Sequence, residues 1–307
     1  MIAPSLLVTG RGLVESPRWH DGHVWFADWT AGEILRLDDD GAAEVIARAA
    51  APPLSFDFAA DGRMLIVDSA AGQLLRREAD GAIAPFTDLG GAGWNEIVVD
   101  GRGNAYVNGP QLVLVTPGGG VSVQDKDFAF PNGMAVTPDN GALIFAESYA
   151  RRLIAFDIAA DGALSNRHVW ADLDGPPDGI CIDATGAVWY ADVPNAYCRR
   201  VREGGEVLDE VRLDRGGFAC MLGGPERRTL YITGARWFGM DRMPENGRHG
   251  LRLERLGPGG GRGLAVSKAG HGKYGKHGYL GLRTSDIVIP ESRAANSSGI
   301  YFTVAAK

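Results

Sequence analysis

Phe130-Pro131-Asn132-Gly133-Met134-Ala135-Val136-Thr137-Pro138-Asp139 runs directly into Asn140-Gly141-Ala142-Leu143-Ile144-Phe145-Ala146-Glu147. The first half reads as a loop entering a strand: a proline stiffens the approach, an amide side chain follows, and a glycine precedes an apolar run. The second half reads as a turn and a second strand, because Asp, Asn and Gly cluster just ahead of another apolar run.

The same order returns along the chain. Its turn-and-strand halves are Asp21-Gly22-His23-Val24-Trp25-Phe26-Ala27-Asp28, Asp61-Gly62-Arg63-Met64-Leu65-Ile66-Val67-Asp68, Gly103-Asn104-Ala105-Tyr106-Val107-Asn108, Gly186-Ala187-Val188-Trp189-Tyr190-Ala191-Asp192 and Arg228-Thr229-Leu230-Tyr231-Ile232-Thr233. Successive units lie roughly 40 residues apart, the period of four-stranded propeller blades. A second hairpin follows most of them, as at Gly32-Glu33-Ile34-Leu35-Arg36-Leu37-Asp38. No helical period is sustained, so helix content should be low. Six such units predict an all-β fold, a six-bladed β-propeller around a central channel, with strands apolar on both faces wedged between neighbouring blades. A β-sandwich would show short strands without self-similarity at this period.

The pattern stops at Gly257-Pro258-Gly259-Gly260-Gly261-Arg262-Gly263, a linker by composition. Residues 1–265 are therefore expected as one propeller domain and 266–307 as a C-terminal extension. That extension opens with a basic, Gly- and His-containing stretch at Lys268 to His277, expected to be disordered. An extra edge strand and an oligomer contact are the other readings of the tail. At the opposite end, Ser5-Leu6-Leu7-Val8 is expected to add a strand to the last blade and protect its edge.

Bulk composition narrows the function classes. Of 307 residues, 45% are hydrophobic and 22% charged, an ordinary globular balance. A net charge of −7 argues against nucleic acid, which needs a clustered positive face. No run is long enough for a membrane span, and no signal peptide is evident. Cys181, Cys198 and Cys220 lack metal-type spacing and suit free thiols in a reducing, cytoplasmic setting. The absence of a Gly-x-Ser-x-Gly elbow argues against a serine hydrolase.

Glu15, Asn95, Asn132 and Asp178 stand at equivalent points, each five to seven residues before an Asp that opens a turn. Taken singly, such residues are turn caps. Four at matching points of a ring converge on its channel. Two carboxylates and two amide oxygens form a hard donor set that suits Ca²⁺, with water completing the shell. Mg²⁺, Mn²⁺ and Zn²⁺ are the alternatives, Zn²⁺ the poorest because nitrogen and sulfur are missing.

The segments Glu15-Ser16-Pro17-Arg18-Trp19, Trp94-Asn95, Pro131-Asn132-Gly133-Met134 and Pro177-Asp178-Gly179-Ile180-Cys181-Ile182-Asp183, with Phe218-Ala219-Cys220-Met221-Leu222-Gly223-Gly224, resemble the gluconolactonase and regucalcin (senescence marker protein) family. The resemblance implies a six-bladed propeller, one divalent cation (usually calcium) and hydrolysis of a lactone. It also implies that Glu15, Asn95, Asn132 and Asp178 are the metal ligands and that Asp178 is the general base. Where sugar-lactonase relatives place an arginine two residues before the second ligand, this chain has Gly93, and no glutamate matches theirs within Gly109 to Val113. Both departures leave room for a more apolar lactone. Trp29, Phe56, Trp94 and Phe130 are the candidate substrate-binding rings, and Glu147 and Asp192 candidate supports for the ligands. A metal-dependent phosphotriesterase of the same fold and a non-enzymatic calcium- or ligand-binding propeller are the alternative functions. The sequence does not specify an oligomeric state.

Overall fold

The computed structural model describes residues 4–38, 41–48, 52–239, 242, 252–254 and 299–304. It is an all-β propeller, and no α-helix occurs among the described residues. Five antiparallel sheets are meanders of four consecutive strands. They begin with the strands Val14–His20, Leu54–Phe58, Ile97–Val99, Pro131–Val136 and Ile180–Ile182, which are the innermost.

The second strand of each blade explains the repeat. Met64, Leu65, Ile66 and Val67 are consecutive and all buried. Because side chains alternate across a strand, a run buried throughout must be covered on both faces. Val24 and Phe26 pack towards Phe218 and Tyr231 of the last sheet, whereas Trp25 and Ala27 pack towards Leu54, Phe56 and Ile66 of the second blade. The same partition recurs around the molecule, each core cluster being shared by two neighbouring sheets. Innermost strands touch in succession, and the last, Gly216–Gly223, returns to contact Val14–His20.

The expectation of six like blades needs correction. Five have the expected make-up. The sixth sheet draws on four separated stretches, in the order Ser5–Thr9, Arg252–Glu254, Gly299–Val304, Thr229–Ala235 and Gly216–Gly223. Among the described residues, Thr229–Ala235 is followed in the sheet by Gly299–Val304, and Ser5–Thr9 adds the strand at its other side. Ser5–Thr9 joins this last sheet, antiparallel to Gly299–Val304 and to Arg252–Glu254. Gly299–Val304 lies beyond the boundary placed at 265 yet pairs along Thr229 to Gly234. The linker at 257–263 and the basic stretch at 268–277 lie outside the described residues.

Near the axis neighbouring blades meet backbone to backbone. Gly133 N donates to Asp178 O at 3.2 Å, and Gly179 N to Phe218 O at 2.8 Å. A Cβ at Gly179 would overlap the Ala219 Cβ, and one at Gly133 would stand 2.6 Å from Asp178 O. These glycines are therefore required by the closeness of the next blade. Gly179→Ala should lower the unfolding free energy by about 1–3 kcal/mol through overpacking. Gly118→Ala is the matched control, because its Cβ would meet nothing within 4 Å. Urea denaturation of the two variants checks this, and equal midpoints would contradict the close-approach account.

Candidate metal centre

Each candidate ligand stands where the chain enters an innermost strand. At Glu15 the pairing with the next strand slips between Glu15 and Arg18, and Ser16 takes a left-handed φ of 48°. A second slip separates Pro131 from Met134 around Asn132. Bulges of this kind re-aim a side chain out of the sheet. Asn95 and Asp178 precede their strands, anchored by Asn95 N to Asn108 O at 2.7 Å and Asp178 N to Ala191 O at 2.9 Å.

The structure brings the four into one neighbourhood. Asn95 Nδ2 donates to Pro131 O at 3.1 Å, and Asn132 Nδ2 donates to Ser148 Oγ at 3.3 Å and lies within reach of the Asp178 carboxylate. With their NH₂ groups so engaged, both amides keep carbonyl oxygens for another partner. Burial, followed by the nearby Asp178 and Glu96 charges, pushes the Glu15 carboxyl well above its usual range. Asp178 is raised in the same sense, first by burial and against the Asn132 hydrogen bond, with Asp192 and Glu96 adding to the rise. Two neighbouring acids, Glu15 buried and Asp178 half-buried, carry a charge that a bound cation would relieve. Among the described residues no three His, Cys, Asp or Glu side chains gather to hold a metal by themselves. The donor set here is mixed, two carboxylates with two amide oxygens.

Beneath these oxygens lies an ionic group that the sequence reading did not single out. Arg18 Nη2 donates to Glu96 Oε1 at 2.9 Å and to Ile97 O at 2.7 Å, and Arg18 Nε stands 3.5 Å from Asp57 Oδ1. Asp57 Oδ2 accepts from Val99 N at 2.9 Å, and Ser16 Oγ donates to Glu96 Oε2 at 3.3 Å. Asn108, fully buried, ties the segments together: its Nδ2 donates to Asn132 O at 2.6 Å, and its Oδ1 accepts from Glu96 N at 3.2 Å. The only signal for this group in the sequence was a charge inside each of three innermost strands or their approaches.

The aromatic candidates divide. Trp94 and Phe56 have no exposed surface and belong to the cores between blades, so their assignment to substrate is corrected. Their apolar area is consumed by the adjacent blade. Trp29 is half-buried, with Nε1 donating to Leu54 O at 2.7 Å. Phe130 remains exposed, stacked on Tyr149. Asp192 is buried and adds to the field at Asp178, while Glu147 accepts from Ala129 N at 3.0 Å and pairs with Arg152 and Arg167. Glu147 thereby braces the loop that leads into Asn132. Cys181, Cys198 and Cys220 are free thiols between the fifth blade and the last sheet, with Sγ of Cys181 and Cys220 3.8 Å apart. Burial pushes all three thiols up, which keeps them protonated and unreactive.

The family model of the SMP-30/gluconolactonase/LRE-like region matches residues 13–236. The chain belongs to this family. It is 31% identical over 134 residues to a 6-deoxy-6-sulfogluconolactonase of Pseudomonas putida, covering 42% of this chain and 46% of that protein. That match thus spans about half the length of the relative. A pentonolactonase of Haloferax volcanii is 24% identical over 249 residues, with coverage of 76% and 86%. A calcium-binding regucalcin from Agrobacterium tumefaciens superposes with a TM-score of 0.69 at 21% identity, over 83% of this chain and 93% of that one. The likeness to that structure concerns the fold alone.

The group around Arg18 gives a sharp test within this family member. Arg18→Leu leaves Glu96, Asp57 and Glu15 without their cation and should cost about 3 kcal/mol of stability at pH 7.5. Burial already holds the Glu15 and Glu96 carboxyls above their usual range, and loss of the cation that opposes this lifts both further, so the folded state holds still more protons that the unfolded state releases. The deficit should therefore grow as pH rises through the carboxylate range and shrink below about pH 4. Chemical denaturation of wild type and variant at pH 4, 5.5 and 7.5 checks this; a deficit independent of pH would contradict the ionic role.

Proposed function

We propose that this protein is a divalent-cation-dependent hydrolase that opens the ring of a small lactone. The observation that carries the reading is the meeting of Glu15, Asn132 and Asp178, with Asn95 tied to the segment of Asn132, at the entrances of four innermost strands. Family membership and relatives named as lactonases support the reaction class.

The donor chemistry fits a hard cation: four side-chain oxygens, two of them in acids whose burial and mutual charge are relieved by a positive ion. Glu15, Asn95, Asn132 and Asp178 would hold it, with Ca²⁺ the best match. When bound, such an ion polarises the lactone carbonyl and offsets the negative charge that develops on its oxygen. Asp178 orients the attacking water and takes its proton, and the Asn132 amide fixes the carboxylate for that task. Addition of water at the carbonyl carbon and departure of the ring oxygen as an alcohol give a hydroxycarboxylic acid. Arg18, bound to Glu96 and Asp57, holds the floor beneath the carboxylates. The unpaired thiols suit a reducing, cytoplasmic setting.

A phosphotriesterase reading has one specific support, 27% identity over 168 residues to a diisopropyl-fluorophosphatase of Loligo vulgaris, covering 46% of this chain and 54% of that protein. A panel of sugar lactones, substituted butyrolactones and a phosphotriester, each with and without chelator, separates the readings. Lactone hydrolysis should vanish with chelator and return with Ca²⁺. Asp178→Asn should reduce kcat by about 10²-fold or more while the circular dichroism spectrum stays that of wild type. Full activity in that variant, or indifference to chelator, would refute the assignment.

A further inference from the structure

The rim beside Asn132 carries two aromatic rings. Phe130 and Tyr149 are 44% and 53% exposed, stacked with centroids 4.4 Å apart and planes 17° from parallel. Other large apolar side chains left exposed, such as Val121, Val123, Val169, Val207 and Leu208, are aliphatic and sit on the outermost strands. Single exposed aliphatics are ordinary. A stacked, solvent-facing aromatic pair at the mouth of a polar site is not.

The pair is held in place and tied to the site. Ser148 N donates to Phe130 O at 3.1 Å, and Tyr149 N to Ala129 O at 3.0 Å. Ser148, next to Tyr149, accepts from Asn132 Nδ2 and donates its hydroxyl to Pro177 O at 2.6 Å, one residue from Asp178. Phe130 stands two residues before Asn132 with a left-handed φ of 61°, a costly backbone for a bulky residue. Keeping a large, half-exposed apolar ring in such a conformation costs backbone energy and calls for a reason.

We propose that Phe130 and Tyr149 form an apolar wall that selects lactones bearing a hydrocarbon substituent, alkyl or aryl, over polyhydroxylated sugar lactones; this rests on the lactonase reading above. A hydrocarbon group laid on the wall removes apolar surface of both partners from water. A hydroxyl laid on the ring faces is dehydrated against carbon, and the one polar atom of the pair, the Tyr149 phenol oxygen, sits at the edge of its ring and not on its face. Because the rings already brace each other, little side-chain freedom is lost on binding. Tyr149 is thus a specificity residue, and Phe130 acts with it as one surface.

The test has two arms. In the first, kcat/KM is measured for γ-butyrolactone and for a phenyl-substituted γ-butyrolactone with wild type, Phe130→Ser and Tyr149→Ser. Wild type should prefer the phenyl compound, and each variant should lower that preference about tenfold, chiefly through KM. In the second, the corresponding lactams, which resist hydrolysis, are titrated calorimetrically: the phenyl lactam should bind wild type about tenfold more tightly than the plain lactam, and the gap should close in the variants. Equal losses on both lactones, or no gain from the phenyl group in wild-type titrations, overturns the wall. A wild-type gain in lactam affinity without hydrolysis of any lactone upholds the wall and refutes the lactonase reading instead.

Discussion

Every feature of the molecule depends on the contact between adjacent sheets. Each blade presents two apolar faces, and neither is covered unless a neighbour lies on both sides, so the sheets are stable only as a closed ring. Phe26 and Leu35 of the first blade meet Phe218 and Tyr231 of the last sheet in the cluster that completes this closure. Burying one such side chain contributes about 1.5–3 kcal/mol, and each cluster contains many. The same closeness at the axis excludes a Cβ at Gly133 and Gly179. Those two glycines follow Asn132 and Asp178, so the packing constraint and the ligand positions are set by the same short segments.

The axis is also where polar groups are concentrated. Glu15 is buried and Asp178 half-buried near it, and Glu96 adds a third negative charge to their surroundings. Arg18, bridging Glu96 and Asp57, is the cation the chain supplies for itself. Asn108 ties the third blade to the fourth through Asn132 O, and Ser148 ties the fourth to the fifth through Pro177 O.

Much of the fold was legible because its signals are local. Asp-Gly and Asn-Gly turns, consecutive apolar runs and their 40-residue recurrence mark strands without reference to anything distant. The four oxygens were legible for a related reason: each occupies the same place in its own repeat. Less legible was anything that depends on the facing blade. Trp94 and Phe56 sit beside candidate ligands in sequence, yet the next blade covers them completely. Arg18, Asp57 and Glu96 belong to three different blades, and no spacing along the chain announces that they meet.

The sequence by itself determined the repeat, the strand and turn order, the family resemblance and the four candidate ligands, because periodic sequence imposes periodic structure. Only the tertiary structure decided which later segment lies between Ser5–Thr9 and Thr229–Ala235, since Gly299–Val304 is far from both in the chain and pairs through backbone hydrogen bonds that side-chain patterns do not specify. It also decided which aromatic rings are core and which face solvent, because burial is a property of the neighbouring blade and not of the residue.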